Sequence, residues 1–470
     1  GADSIFIGAT AGDGHDTEGN NLGIGTAALG GAVAGGEYNV AIGHTSLDAL
    51  TSGDNNTAIG HAAFSSLTSS SENLAVGYQA GLSTTTGDYI TFVGPNAGYS
   101  NTTGANNTAL GRFAYGSADT EGNNTAIGVN ALGGPGGGGE YNIAIGNYSL
   151  DALTSGDENI AVGYNAGTAH TTAGNNIYLG TEAGAAVTTG GNNILIGHRA
   201  GDAFDTEVNN LALGNNALGG AVAGGEYNVA IGNQSLDALT SGDSNTAVGY
   251  NAGGGVTTGY NNTFLGIGSG QGLTTGFSNV LIGANAAHSN SVDLTTGDQN
   301  TLVGRNIQTT DANSNTANGL GYFLSCEGGY TTIGQSGSDI RTPHGANSWG
   351  TVSDKRFKKN IQTSDAGLAV INDLRPVTFN WKTMGEIPEW SRWYEEGSDE
   401  QYRNSTLNHG FIAQEVKAVI DSHSELKDGF SMWREHSDGQ QEVSETPILP
   451  ILVKAVQELS ATVTTLQQEI

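Results

Sequence analysis

Residues 56–77 read NTAIGHAAFSSLTSSSENLAVG and hold two successive copies of the motif that dominates this chain. In each copy an asparagine precedes three residues, of which the first and third are Thr, Val, Ile or Leu, and a glycine follows them. Alternate side chains of a strand point to opposite sides. Residues 57–59 are therefore predicted to form a short strand with Ala58 on one side and its two neighbours on the other.

The motif recurs with a nearly fixed period over the first 300 residues. Its glycine follows Ile, Val or Leu and returns every 17 or 18 residues, at Gly25, Gly43, Gly60, Gly77, Gly94, Gly111, Gly128, Gly146, Gly163, Gly180, Gly197, Gly214, Gly232, Gly249, Gly266 and Gly283. A 21-residue interval leads to Gly304, and the pattern then decays through Gly319 and Gly334. Such a period predicts a mainly β fold, a repetitive β-solenoid with about 17 residues per coil.

Both sides of each predicted strand are apolar, so both need cover. We expect one side to fill the solenoid interior and the other to meet a further layer or chain. The small side, around Ala41, Ala58 and Ala126, is predicted to lie in contacts between chains. The recurrent asparagine, replaced once by Ile90, is expected to stack into an amide ladder, and the glycine permits a corner that a Cβ atom would block.

Longer segments are also repeated. DTEGNNLGIGTAALGG at 16–31 returns as DTEGNNTAIGVNALGG at 119–134 and as DTEVNNLALGNNALGG at 205–220. The offsets correspond to whole coils, which indicates duplication of cassettes without disturbance of the stack. This suits a rod whose length is the selected property.

Composition excludes several functions. The net charge is −30, and residues 1–350 hold four arginines and no lysine, which argues against nucleic-acid binding. No apolar run is long enough for a membrane span and no leader is visible, and because the chain starts at Gly1 we interpret it as a fragment or processed product. The single Cys326 cannot form an intrachain disulfide, no metal-ligand cluster is apparent, and no cofactor is expected.

The C-terminal region has a different composition and a distinctive order of motifs. All five tryptophans lie at or beyond Trp349, and the motifs are SDKRFKKNI (353–361), LRPVTFNWK (374–382), HGFIAQEVKAVI (409–420) and LPILVKAVQEL (449–459). This order resembles the C-terminal intramolecular chaperone of phage tailspikes and tail fibres, the self-cleaving endosialidase type, over roughly 353–470. The resemblance implies a small α+β chaperone domain on a long trimeric β-structured fibre.

The same resemblance implies autoproteolysis with Ser353 as nucleophile and Lys358 as general base, and cleavage between Ser353 and Asp354. A lysine acts as a base only when its pKa falls, and the neighbouring cations Lys355, Arg356 and Lys359 would favour this. A serine attacking its own carbonyl would need a four-membered ring, so attack on the preceding carbonyl or by another subunit stays open. Supporting roles are assigned to Arg356, Asn360, His409, Gln414 and Glu415.

The last 22 residues carry a heptad pattern. One core position holds Leu449, Val456, Val463 and Ile470, and the other holds Leu452, Leu459 and Leu466. Val at the first position with Leu at the second favours a dimer by the general coiled-coil rule. The family resemblance implies a trimer, and we adopt that prediction because three heptads specify the oligomeric state only weakly.

The repeats themselves resemble the head repeats of trimeric autotransporter adhesins, which are β-rolls associated in threes. We expect three domains: a shaft at 1–304, a distal segment at 305–352 and the chaperone at 353–470. The distal segment is turn-rich and carries Tyr330, Arg341, His344 and Trp349, which suit receptor contact, although a cap that seals the last coil is an equally good interpretation.

The sequence therefore predicts a virion tail fibre or tailspike shaft for host-surface attachment. The expected partners are two further copies in a homotrimer, a host-cell glycan or protein receptor, and other virion tail proteins, with no nucleic acid and no membrane insertion. Single-turnover serine autoproteolysis is the only enzymatic activity expected, because the acidic residues recur at turn positions rather than as an isolated pair. A polysaccharide-depolymerising tailspike and a bacterial surface adhesin are the alternatives.

Overall fold

The computed structural model describes residues 3–14, 19–31, 36–135, 139–220, 225–288, 293–336, 338–346, 355, 358–391, 393–426, 430–436 and 439–469. The chain divides into two compact units, residues 1–352 and 353–470. Each unit is described by itself.

The first unit is a β-solenoid in which each coil contributes one short strand. The strands are β1 (Ile5–Ile7), β2 (Leu22–Ile24), β3 (Val40–Ile42), β4 (Thr57–Ile59), β5 (Leu74–Val76), β6 (Thr91–Val93), β7 (Thr108–Leu110), β8 (Thr125–Ile127), β9 (Ile143–Ile145), β10 (Ile160–Val162), β11 (Ile177–Leu179), β12 (Ile194–Ile196), β13 (Leu211–Leu213), β14 (Val229–Ile231), β15 (Thr246–Val248), β16 (Thr263–Leu265), β17 (Val280–Ile282) and β18 (Thr301–Val303). Successive strands pair in parallel and in register, as Ala41 with Ala58 and Ala58 with Ala75. The predicted fold class is confirmed.

The end of this unit departs from the simple repeat. It contains β19 (Gln308–Thr309), β20 (Asn318–Tyr322), β21 (Ser325–Cys326), β22 (Tyr330–Gln335) and β23 (Ser338–Pro343). Strands β20 and β22 continue the parallel stack, whereas β23 pairs with β22 in the antiparallel direction. Gly319 lies opposite Leu302 in the middle of a strand, and the corner position belongs to Gly321, so the register inferred from Gly319 was wrong by two residues.

Glycine and asparagine hold the coils together at the corner and along the interior. Gly25 has a φ of +134°, and a Cβ atom there would lie 2.5 Å from the carbonyl oxygen of Gly43 in the next coil. The amide ladder is present: the Nδ2 of Asn73 donates to the Oδ1 of Asn56 at 3.0 Å. At the one interruption, the backbone N–H of Ile90 still donates to the Oδ1 of Asn73 at 2.8 Å.

Turns with left-handed residues connect the strands. In most coils a non-glycine residue with positive φ precedes the ladder asparagine, another lies two residues after the corner glycine, and many coils have a third four residues after it. Tyr38, Thr45 and Leu47 illustrate these positions, with φ values of 59°, 53° and 49°. Leu47 is fully buried, so its packing offsets the backbone cost, whereas Tyr38 is 57% exposed.

Among the described residues, the second unit combines two small antiparallel sheets with three α-helices. Its elements are α1 (Leu368–Asp373), β24 (Val377–Phe379), β25 (Asn408–Gly410), α2 (Ala413–Ser422), β26 (Trp433–Glu435), β27 (Gln441–Val443) and α3 (Leu449–Glu469). Strands β24 and β25 are antiparallel, as are β26 and β27. The core includes Val370 of α1, Val416 of α2 and Ile451 of α3.

A side chain of α3 also caps the N-terminus of α1. The first N–H groups of a helix have no partner within it, and the Oε2 of Glu458 accepts a hydrogen bond from the N–H of Leu368 at 2.8 Å. The carboxylate is favourable beside the positive end of the helix. This contact joins segments separated by 90 residues.

Candidate functional site

The outer strand face of the solenoid is a long uncharged surface of the first unit. It consists of the first and third residues of each strand, and from β2 to β18 every one of them is Val, Ile, Leu or Thr. All are partly or fully exposed in the single chain; Leu110 and Leu265 have relative exposures of 48% and 46%. A contiguous exposed apolar surface of this length is typical of a contact with another layer or chain.

The orientation of the strands corrects one sequence-based prediction. Ala41, Ala58 and Ala126 are fully buried inside the solenoid of one chain, so they do not provide a surface for another chain. A coil of about 17 residues has a narrow interior, and the small residue faces inward for that reason. The larger β-branched side chains point outward.

The predicted autoproteolytic residues lie at the start of the second unit. Ser353, Asp354 and Arg356 fall outside the described residues. Lys358 is exposed, and its backbone N–H donates to the carbonyl oxygen of Lys355 at 3.1 Å. Asn360 is exposed and has a left-handed φ of 56°. The assignment of nucleophile and base therefore stays a prediction.

The predicted supporting residues lie on β25 and α2. His409 is opposite Thr378 in the antiparallel β24–β25 pair and lines an open cavity of about 440 Å³ with Phe411 and Glu445. Glu415 accepts a hydrogen bond from the Nε of Arg375 at 3.0 Å, and this contact lowers the pKa of the Glu415 carboxyl. Glu415 thus fixes α2 to the segment before β24, while Gln414 on the same helix is exposed.

The order of these elements agrees with an independent comparison. Residues 353–424 match the family model described as chaperone of endosialidase. The match confirms the resemblance proposed from the sequence, and it ends before the β26–β27 hairpin and α3. Neither the comparison with curated proteins nor the comparison with solved structures found a match.

Beyond this endosialidase-chaperone-like region, α3 presents the predicted heptad. Its two core positions are exposed in the single chain: Leu449 58%, Leu452 37%, Val456 64%, Leu459 51%, Val463 46% and Leu466 54%. Ile470 lies outside the described residues. Ile451 and Ala455, on another side of the helix, are buried within the unit. One side of the helix, with Ile451 and Ala455, therefore packs within its own unit. The heptad side is apolar and exposed, and no described residue covers it.

The distal hairpin β22–β23 brings together three of the four residues assigned to receptor contact. Tyr330 is opposite Pro343, Arg341 is 3.6 Å from the carboxylate of Glu327, and the N–H of His344 donates to the carbonyl of Gly329 at 2.9 Å. Trp349 is outside the described residues. The hairpin is continuous with the solenoid sheet, so these side chains sit on a firmly paired element.

Sequence reasoning missed a charged junction in the second unit. His423 follows α2, and its ring nitrogens contact Asp373 at 2.8 Å and Glu425 at 3.0 Å. Hydrogen bonds to these two carboxylates raise the pKa of His423. Asp373 ends α1, so the pairing depends on tertiary structure, and nothing in the local sequence could have indicated it.

No helix in the described ranges has the length and apolar content needed to cross a membrane. The same part of the chain has no group of three or more His, Cys, Asp or Glu side chains placed to hold a metal ion.

Proposed function

We propose that this chain is the shaft of a trimeric phage tail fibre or tailspike that attaches to the host surface. The observation that carries the proposal is the combination of a long β-solenoid with an endosialidase-chaperone-like region at residues 353–424. Chaperones of this family imply trimeric assembly, and a stiff parallel stack of coils suits a fibre shaft. The protein would act in the virion and be extracellular on host contact.

Two surfaces of the chain support self-association. The outer strand face is uncharged over its whole length, and the heptad side of α3 is exposed and apolar. Burying Ile, Val and Leu from both would contribute on the order of 25 cal/mol per Å² of apolar surface removed from water. Three copies packed on these faces would cover the apolar surfaces that a single chain leaves in water.

Light scattering of the purified full-length chain tests this assembly. We expect a homotrimer for wild type and a folded, smaller species for Leu213→Lys/Leu265→Lys, because each substitution places a charge on the outer strand face. Tyr164→Lys is the matched control, since Tyr164 is 49% exposed but lies outside that face. A stable wild-type monomer, or equal assembly of both variants, would contradict the proposal.

We propose further that the chaperone-like region cleaves the chain once. Ser353 Oγ would attack a peptide carbonyl carbon while Lys358 accepts the hydroxyl proton, the C–N bond would break as the new amine takes a proton, and water would hydrolyse the resulting ester. Intact-mass measurement should find two fragments for wild type and one full-length chain for Ser353→Ala and for Lys358→Ala. Lys382→Ala is the control that should still be cleaved, since Lys382 is exposed and has no assigned role in the cleavage. If wild type also stays full length, the assignment of Ser353 and Lys358 as nucleophile and base is wrong.

The distal hairpin is proposed as a receptor-binding element that works without multiple-turnover catalysis. Tyr330, Arg341 and His344 offer an aromatic ring and hydrogen-bond donors at one place on a rigid support. Their replacement by alanine should reduce adsorption of the purified trimer to host cells. Release of reducing ends from host polysaccharide by the trimer would instead favour the depolymerase alternative.

A further inference from the structure

One corner of the solenoid carries an ordered set of exposed tyrosines. The residue immediately before each ladder position is at this corner, and in four coils it is tyrosine: Tyr38, Tyr141 and Tyr227 before an asparagine and Tyr89 before Ile90, with relative exposures of 57%, 58%, 59% and 60%. Their φ values are 59°, 57°, 58° and 57°. We call this corner position in successive coils the column, and the four tyrosines that occupy it the tyrosine column.

Tyrosine is an unfavourable choice at this position. The left-handed conformation suits asparagine and glycine, and asparagine is the commonest residue of the column, as at Asn55, Asn106 and Asn209. Leu47 and Phe64 also have positive φ elsewhere in the coil, but both are fully buried and gain from packing. The tyrosine rings have no such compensation, because more than half of each is in water.

Each tyrosine of the column follows an acidic residue in the chain. The preceding residue is always acidic: Glu37, Asp88, Glu140 and Glu226. In the next coil, the N–H of Asn55 donates to the carbonyl of Glu37, and that of Asn106 donates to the carbonyl of Asp88, both at 3.0 Å. Backbone pairing therefore places an asparagine of the next coil beside Glu37 and Asp88, whereas Glu158 and Ser244 occupy that place beside Glu140 and Glu226.

The first three tyrosines of the column are equally spaced over six coils of the shaft. Tyr38, Tyr89 and Tyr141 are three coils apart, because the in-register strands β3, β6 and β9 follow them directly in the chain. With about 4.8 Å per coil, the interval is about 14 Å. Tyr227 lies five coils further on. Several aromatic rings along one line of the shaft fit a ligand that is itself linear and repetitive.

We propose that the tyrosine column is a binding ridge for a neutral, linear polysaccharide. The apolar C–H faces of sugar rings stack on aromatic rings, and sugar hydroxyls donate to carboxylates and accept from amides. An anionic polymer is disfavoured, because residues 1–350 contain 27 acidic and four basic side chains. The proposal rests on the shaft role proposed above and assigns to the shaft a ligand class distinct from contacts at the distal hairpin.

Binding of the purified full-length protein to an array of neutral glucans, galactans and mannans, with hyaluronan and polysialic acid alongside, tests the proposal. We expect binding to at least one neutral polymer and at least tenfold weaker binding for Tyr38→Asn/Tyr89→Asn/Tyr141→Asn/Tyr227→Asn. Asparagine is native to this column, so the variant should keep its melting temperature. The matched control is Tyr78→Asn/Tyr164→Asn/Tyr250→Asn, since these tyrosines are 51%, 49% and 53% exposed on another column and should leave binding within twofold of wild type.

Three results would overturn the inference: binding to none of the neutral polymers, binding to the acidic polymers alone, or equal loss of binding in both variants. Host-cell adsorption separates this inference from the proposed function. If wild type and the quadruple tyrosine-to-asparagine variant adsorb equally to host cells, the proposed polysaccharide binding by the tyrosine column is wrong while the attachment role stands. If wild type is monomeric and does not adsorb, the attachment role itself fails.

Discussion

At the scale of single residues, the solenoid interior is filled by complementary pairs. Where the middle of a strand is alanine, the buried left-handed position of that coil often holds Leu or Phe, as Ala41 with Leu47 and Ala58 with Phe64. Where the strand holds Phe92, the corresponding position is Gly98, and a Cβ atom on Gly98 would overlap the Phe92 ring. In this coil the larger strand residue is thus compensated by the smaller residue at the turn.

This complementarity predicts that a second substitution at Gly98 can restore stability lost by a substitution at Phe92. Phe92→Ala should reduce the free energy of unfolding by about 3–5 kcal/mol because it leaves a cavity. Gly98→Leu alone should be at least as damaging, because the new side chain meets the ring. Combined, the two changes recreate the Ala–Leu pair of other coils and should recover more than half of the loss in urea denaturation. Additive losses in the double variant would show that the positions do not share one space.

His170 is a buried titratable group in the same interior. Its Nε2 donates to the carbonyl of Ala173 at 2.7 Å, its Nδ1 is 3.4 Å from the Tyr178 hydroxyl, and burial lowers its pKa. The unfolded chain takes up a proton near the ordinary pKa of about 6.5 while the folded chain does not. Stability is therefore retained above that pH and falls as the pH drops below it.

Urea denaturation midpoints at pH 7.5 and pH 5.0 test the expected direction of the change in stability with pH. Wild type should lose more stability on acidification than His170→Gln, which keeps a donor toward Ala173 and does not titrate. The exposed histidines are common to both proteins and cancel in the difference. An equal loss in the two proteins would mean that His170 is protonated in the folded state.

At the scale of elements, α3 separates folding from association. Ile451 is 4% exposed and packs in the core of its own unit, whereas Leu459 is 51% exposed on the heptad side. The sequence pattern predicted the heptad but could not predict the second buried side, since Ile451 and Ala455 are buried only where α3 packs within its own unit, against α1 among other elements. In the proposed trimer, the side with Ile451 would serve the fold of the unit and the side with Leu459 would contact another chain.

Substitutions on the two sides should therefore differ in their effect. Ile451→Ala should lower the free energy of unfolding of the second unit by about 2–4 kcal/mol at any protein concentration. Leu459→Asp should leave the far-ultraviolet circular dichroism of dilute protein near wild type and shift light scattering toward smaller species. If Leu459→Asp unfolds the dilute chain, the heptad side is part of the monomer core.

At the scale of the whole molecule, the repeated cassettes make length adjustable. Removing residues 119–204 would join Ala118 to Asp205 and place β13 next to β7, with the amide of Asn210 facing Asn107. Five coils would be lost, and at about 4.8 Å per coil the shaft would shorten by about 24 Å. Each coil contacts only its neighbours, so stability per coil should be unchanged.

Electron microscopy and circular dichroism test this deletion. A shorter, folded, trimeric particle is expected. Deletion of residues 119–127 is the control: it removes about half a coil, breaks the amide ladder and the corner glycines, and should give aggregated or unfolded protein. Loss of structure in the whole-cassette deletion would mean that its coils are not interchangeable.

Much of this molecule was predictable because its period is short and local. The strand positions, the corner glycine and the amide ladder all follow from the spacing of residues within one coil. The inward direction of Ala58 did not follow, because period-two alternation gives two faces without saying which faces the interior. His423 with Asp373, and Glu458 with Leu368, join distant segments and required the tertiary structure.

The reversed strand β23 has a consequence for the fate of the shaft. Parallel strands stacked in register are also the arrangement of amyloid fibrils, whose growing ends template the addition of further chains. Here the last strand runs the opposite way and ends at Pro343, which has no N–H to offer an incoming strand. We therefore expect the distal hairpin to disfavour the addition of a further parallel strand at this edge, so that a long cross-β-like stack stays finite.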